Sequence, residues 1–196
     1  MTARWPCPPS LPQSAVAGAL ALAALGGCGG DDESESSAVG TTVKLQNAGG
    51  DPAGSVTFRP SEGAIEVQAK VSGLSPGFHG FHIHETGSCE PDAAEGPFET
   101  AGGHYARGEQ RHGEHAGDMP TLLADGDGTA TATFATPRFA LEELTKGDGS
   151  AVMVHAMRDN QANVPSRYRA GGSRGPDSDT LDTGDSGDRV ACGELR

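Results

Sequence analysis

Residues 79–85 read HGFHIHE, and three of the chain's seven histidines fall within them. The stretch otherwise has the look of a β-strand. In a strand, side chains two apart share a face, so His82 and His84 point the same way and Ile83 points opposite. Their Cβ atoms then lie roughly 6–7 Å apart, and two imidazoles at that separation can converge on one metal through bonds of about 2 Å. His79 is offset from His82 by an odd number, so it faces the other side with Phe81 and Ile83. It reads as a structural histidine, hydrogen-bonded in or under the core. GGHYARGEQRHGEHAGD (102–118) holds His104, His112, His115 and Asp118, and His155 sits inside the apolar MVHAM. Imidazoles with one carboxylate suit copper or zinc. They argue against magnesium or calcium, which want oxygen ligands.

Strands must position these residues. The 196-residue chain is long enough for one domain with a sizeable core. It has 30 glycines and only nine aromatic residues (six Phe, two Tyr, one Trp), which favours a turn-rich all-β domain over a helical bundle. Strands are expected at 41–46, 55–60, 64–74, 77–85, 150–157 and 189–195, with a hairpin over 121–135 turning at DGDG. In 64–74, Ile65, Val67, Ala69 and Val71 alternate with Glu66, Gln68 and Lys70. LEEL (141–144) is at most one helical turn. About eight strands, mostly antiparallel, in a β-barrel or sandwich follow, interrupted by two long irregular stretches, 86–120 and 158–188. Loops of that length in a compact domain are usually functional.

The first 40 residues stand apart. SAVAGALALAAL (14–25) is an apolar run resembling the core of a secretory signal, and it is short for a membrane span. LGGC (25–28) resembles a bacterial lipobox, which makes residues 1–27 a signal peptide and Cys28 the lipidated first residue of the mature chain. The acidic stretch after it gives a flexible tether over 28–40. Domain 41–196 follows, on an exported, membrane-anchored lipoprotein facing the periplasm or cell exterior. Cys7 leaves with the signal and Cys28 carries lipid, so Cys89 and Cys192 remain as an even pair in an oxidising compartment, where a disulfide is expected. The full chain carries −13, and removing residues 1–27 takes away only Arg4, leaving −14. Such a charge makes nucleic acid and anionic membrane surfaces poor partners.

Five segments, GFHGFHIHETGSC (77–89), AGGHY (101–105), HAGDMP (115–120), VMVHAMRDN (152–160) and TGDSGDRVACG (183–193), occur in one order across most of the domain. Together they resemble the copper–zinc superoxide dismutases of the bacterial exported type. The resemblance implies an eight-stranded Greek-key β-barrel that dismutes superoxide to dioxygen and hydrogen peroxide. It implies copper on His82, His84, His104 and His155. Zinc would sit on His104, His112, His115 and Asp118, with His104 bridging the two metals. Asp159 matches an aspartate hydrogen-bonded to ligands of both metals. Arg189 matches the arginine that guides the anion to copper, so Arg189 and His104 are the catalytic candidates. Cys89 and Cys192 match the family disulfide. Family members occur as monomers and as homodimers.

Two departures bear on the reading. The second and third zinc histidines are well separated in most of the family, whereas HGEH sets His112 and His115 only three apart. Asp185 stands where the family usually has a small or amide residue. A copper-only dismutase with a vestigial zinc loop and a non-catalytic copper-binding lipoprotein are the alternatives. Arg167, Arg169 and Arg174 lie in the loop expected to line the channel to copper.

Overall fold

A computed structural model describes residues 40–196. The signal peptide expected over residues 1–27, the expected lipidation site Cys28 and the expected tether up to residue 39 lie outside the described residues. The strands are β1 (Thr41–Asn47), β2 (Pro52–Ser61), β3 (Ala64–Val71), β4 (Gly77–His79), β5 (Phe81–His84), β6 (Leu122–Ala124), β7 (Ala130–Thr136), β8 (Ser150–His155), β9 (Arg169–Ala170), β10 (Ser173–Arg174) and β11 (Arg189–Leu195). A 3-10 turn at Glu99–Ala101 and two short helices, α1 (Leu141–Leu144) and α2 (Ser178–Asp182), complete the elements.

Nine strands form one antiparallel sheet in the order β4-β6-β7-β3-β2-β1-β11-β8-β5. The end strands β4 and β5 are consecutive in the chain, so the sheet curls into a nearly closed barrel. The neighbours β3–β7, β1–β11 and β8–β5 are far apart in sequence, as in a Greek key. β3 alternates as expected: Ile65, Val67, Ala69 and Val71 are buried, while Gln68 and Lys70 are exposed. Its inward residues pair in register with those of β2, Val67 opposite Phe58 and Ala69 opposite Val56. The interior cluster they join also includes Phe81, Ile83, Val152 and Val154.

The expected strand 77–85 is two strands, broken at Gly80. A Cβ at Gly80 would lie 2.7 Å from Ser186 Oγ and 3.1 Å from His82 Cε1, so only glycine admits the 183–188 segment there. The second long loop is also more ordered than expected. It contains the β9–β10 ribbon and α2, whose N-cap Asp177 accepts a hydrogen bond from the Thr180 amide.

β8 is buried on both faces. Val152 and Val154 enter the barrel, while Ala151 and Met153 join Cys89, Phe98, Ala101 and Cys192 in a second cluster. His82 lies opposite Met153 and His84 opposite Ala151. The two histidines are therefore on the outer wall of the barrel, roofed by the long loops.

Candidate metal centre

One nitrogen from each of His82, His84, His104 and His155 lies within 4.8 Å of the others, and all four side chains are buried. Three come from barrel strands: β5 gives His82 and His84, and β8 gives His155. His104 is drawn in by a single bridge to His84. Hydrogen bonds fix which nitrogen is free. His84 Nδ1–H donates to the Gly102 carbonyl at 2.9 Å and His155 Nδ1–H to the Gly187 carbonyl at 3.0 Å. Their Nε2 atoms then carry the lone pairs, 3.3 Å apart. His82 is turned the other way: Nε2–H donates to Asp159 Oδ2 at 2.5 Å. His82 Nδ1 and His104 Nε2 are buried without any hydrogen bond. Orphaned buried nitrogens are costly unless something binds them. Burial also keeps the set neutral, pushing His155 down to about 3 and His104 to about 4, and holding His84 well below the usual imidazole range. Neutral imidazoles with converging lone pairs fit a copper ion.

Beside this group, three Nδ1 atoms converge on Asp118. Its Oδ1 is 3.0 Å from His104 Nδ1, 3.3 Å from His112 Nδ1 and 3.4 Å from His115 Nδ1. His104 and His115 Nδ1 are 3.4 Å apart. Donors tetrahedrally bound to zinc at about 2.0–2.1 Å stand roughly 3.3 Å from one another, so this set fits zinc. His112 Nδ1 is the third buried nitrogen without a hydrogen bond. By mutual proximity alone, His82 groups with His104, His112 and Asp118. We favour His115 over His82 here, because His82 Nε2 is committed to Asp159 and its Nδ1 is the atom free for the first group. The opposite nitrogens of the zinc-side rings are anchored too, His112 Nε2–H to Asp159 Oδ1 at 2.8 Å and His115 Nε2–H to the Gln110 carbonyl at 3.2 Å. Asp159 thus holds one histidine of each group. Burial would lower His112, but the carboxylate of Asp118 close by and the hydrogen bond to Asp159 outweigh it and raise the ring to about 9. Two carboxylates so placed, Asp159 buried and Asp118 half-buried, call for a cation.

Arg189 faces His155 across the β8–β11 pair. Its Nη1 donates to the Phe98 carbonyl at 2.7 Å and its Nη2 to the Gly102 carbonyl at 2.8 Å, with Glu99 3.1 Å away. Cys89 and Cys192 form a disulfide with Cα atoms 5.7 Å apart, which ties residue 89 to β11, and the Phe98 amide donates to the neighbouring Glu90 carbonyl at 2.8 Å. A cavity of about 550 Å³ reaches His84, His104, His155 and Arg189. The expected arginines do not line it. Arg167, Arg169 and Arg174 are exposed on and beside the β9–β10 ribbon, and the wall is acidic instead, with Glu99, Asp179, Asp182, Asp185 and Asp188. α2 accounts for the difference, since it turns the Asp-rich 177–188 segment toward the metal groups. Asp185 has φ 57° and accepts from Thr180 Oγ1 and Asn160 Nδ2, so it closes this loop. His79 stays out of both groups, its nitrogens 2.7 Å from the His155 carbonyl and 2.8 Å from that of Ser75.

Residues 52–195 match the copper/zinc superoxide dismutase (SODC) family. The chain belongs to that family. It is 39% identical over 180 residues to the copper–zinc superoxide dismutase of Mycobacterium tuberculosis, covering 86% of this chain and 75% of the relative. It is 35% identical over 144 residues to that of Photobacterium leiognathi, covering 68% and 82%. The Brucella abortus copper–zinc superoxide dismutase structure superposes with a TM-score of 0.62 at 31% identity, covering 81% of this chain and all of that one. A superoxide dismutase-like protein from Bacillus subtilis superposes at 0.63 with 29% identity and the same coverage. Within the family frame, sequence reasoning missed Glu99 and Arg138. Both act on main-chain carbonyls or other side chains at long sequence distance, and neither stands in a motif of its own.

Proposed function

We propose that the protein is a superoxide dismutase whose copper is held by His82, His84, His104 and His155 and whose zinc is held by His104, His112, His115 and Asp118. The observation that carries this is the trio of buried nitrogens without hydrogen bonds, His82 Nδ1, His104 Nε2 and His112 Nδ1, each aimed into one of the two donor groups. Copper supplies the one-electron chemistry, and zinc is redox-inert. In sum, two superoxide ions and two protons become one dioxygen and one hydrogen peroxide.

The chain's own residues prepare that reaction. Main-chain carbonyls fix the tautomers of His84 and His155, and Asp159 fixes those of His82 and His112. His104 offers Nε2 to one donor group and Nδ1 to the other; when Nε2 holds no metal, a proton on it lies beside the substrate pocket. Arg189, locked by two carbonyls, presents fixed positive charge to an incoming anion. Loading the full chain with both metals should give one copper and one zinc per chain and catalytic loss of superoxide. His155→Ala should abolish copper binding and activity, and His112→Ala should remove zinc while copper stays. A fully loaded chain with no dismutation would refute the assignment.

The same reading includes export and anchoring through lipid on Cys28. The short apolar run, the LGGC sequence and the acidic stretch beyond it support this. Expressed in a bacterial host, the chain should partition with membranes, and Cys28→Ser should release it. Unchanged partitioning in Cys28→Ser would remove the anchor from the proposal.

A further inference from the structure

The turn carrying His112 and His115 is held from outside itself as well as from within. Only Gly113 and Glu114 separate the two histidines. Within the turn, the Glu114 amide donates to the Arg111 carbonyl at 2.9 Å, the Asp118 amide to the His115 carbonyl at 3.2 Å and the Gly113 amide to Asp118 Oδ2 at 2.6 Å. Distant segments supply the rest. The His112 amide donates to the Leu181 carbonyl at 2.7 Å, and Gly184 packs so closely on the His112 ring that a Cβ would lie 2.4 Å from Nε2. Arg138 is the external residue that makes two ties. Its Nη1 donates to the His115 carbonyl at 2.9 Å and its Nη2 to the Gly113 carbonyl at 3.0 Å.

Arg138 is itself fixed to the barrel wall. Its amide donates to Thr136 Oγ1 at the end of β7, and the next residue, Phe139, is buried edge-on against Phe58. The guanidinium is a planar fork, so two carbonyls two residues apart are gripped in one geometry. Arg138 also lines a cavity of about 480 Å³ together with His112, Asp118 and Asp159, on the zinc side of the centre. A fixed positive charge there opposes binding of a dication. The value of Arg138 to the site must therefore be geometric.

We propose that Arg138 is a positioning residue for zinc: by clamping the Gly113 and His115 carbonyls it aims His112 and His115 Nδ1 at Asp118, the task a longer loop would perform with its own hydrogen bonds. The inference rests on the zinc assignment above. The test titrates metal-free full-length chain with zinc against a chromophoric chelator, with cobalt(II) as a spectroscopic stand-in for zinc. Arg138→Lys keeps the charge and loses the fork; Arg138→Met loses both. Zinc affinity should fall about 10–100-fold in both variants. The visible bands of tetrahedral cobalt should weaken, while copper binding and the melting temperature of the metal-free chain stay near those of the parent. Parental zinc affinity and cobalt spectrum in both variants would overturn the inference. So would tighter zinc binding by Arg138→Met, which would mean that charge and not geometry governs the site. A parent that takes up neither metal would sink the zinc assignment, and this inference with it; a parent that binds zinc beside variants that bind equally well sinks this inference alone.

Discussion

Asp159 accepts from His82 Nε2–H, His112 Nε2–H and the Gln161 amide at once. Burial pushes its carboxyl up, but the hydrogen bonds from His112, His82 and Gln161 hold it well below the usual carboxylate range. Two ring donors need two acceptor oxygens. In Asp159→Asn one of them must face an NH2 group, whichever way the amide turns. That variant should lose zinc affinity by about 10–100-fold and distort the copper spectrum through His82. Parental metal affinities and spectra would show that the link between the two groups is dispensable. Arg189 makes a complementary case. Arg189→Glu keeps the histidines intact but reverses the charge beside them, so copper should remain bound while the second-order rate falls by about tenfold or more. Unchanged turnover at low salt would remove its guiding role.

At the scale of elements, the disulfide and the Phe98–Gly102 segment act together. That segment supplies both carbonyls that grip Arg189 and the one that orients His84. The bridge between Cys89 and Cys192 spans 103 residues, and closing a loop of that size contributes about 4.7 kcal/mol in the chain-entropy model. Replacing both cysteines by serine should lower the unfolding free energy by several kcal/mol, an upper bound set by that figure. It should also lower the rate at full copper occupancy, because the Arg189 clamp loosens. A lower melting temperature with a parental rate would confine the bridge to stability. Strand alternation made it legible that His82 and His84 share a face; the grouping of His104, His112, His115 and His155 with them came from the family resemblance, because those residues lie in a loop and on another strand. The elements between them were legible only in part. Gly80 breaks a strand through a contact with Ser186, more than 100 positions away, and no local pattern announces such a contact. α2 was hidden in an Asp-rich loop with no apolar periodicity, so the direction of its aspartates could not be read.

At the scale of the whole molecule, charge sets a problem for an anionic substrate. The chain carries −13, and the cavity over the copper group is rimmed by Asp179, Asp182, Asp185 and Asp188. Arg189 is the basic residue among those lining it, and Glu99 partly offsets its charge. The chain's own charges, taken without those of the metals, repel superoxide at the mouth and attract it near Arg189. Salt screens charges separated by more than a Debye length, about 30 Å at 0.01 M and about 8 Å at 0.15 M. Raising ionic strength over that range weakens the repulsion of the net charge and rim more than the short-range pull of Arg189. The second-order rate should rise with salt, whereas an enzyme steered by a positive field slows. Asp182→Asn with Asp188→Asn should raise the low-salt rate several-fold and flatten the salt dependence, with copper and zinc content unchanged. Rate measurements on the parent and double variant across this range of ionic strength decide the matter. A rate that falls with salt in the parent would mean that Arg189 and the metals dominate the field out to the mouth, and that the acidic rim is electrostatically silent.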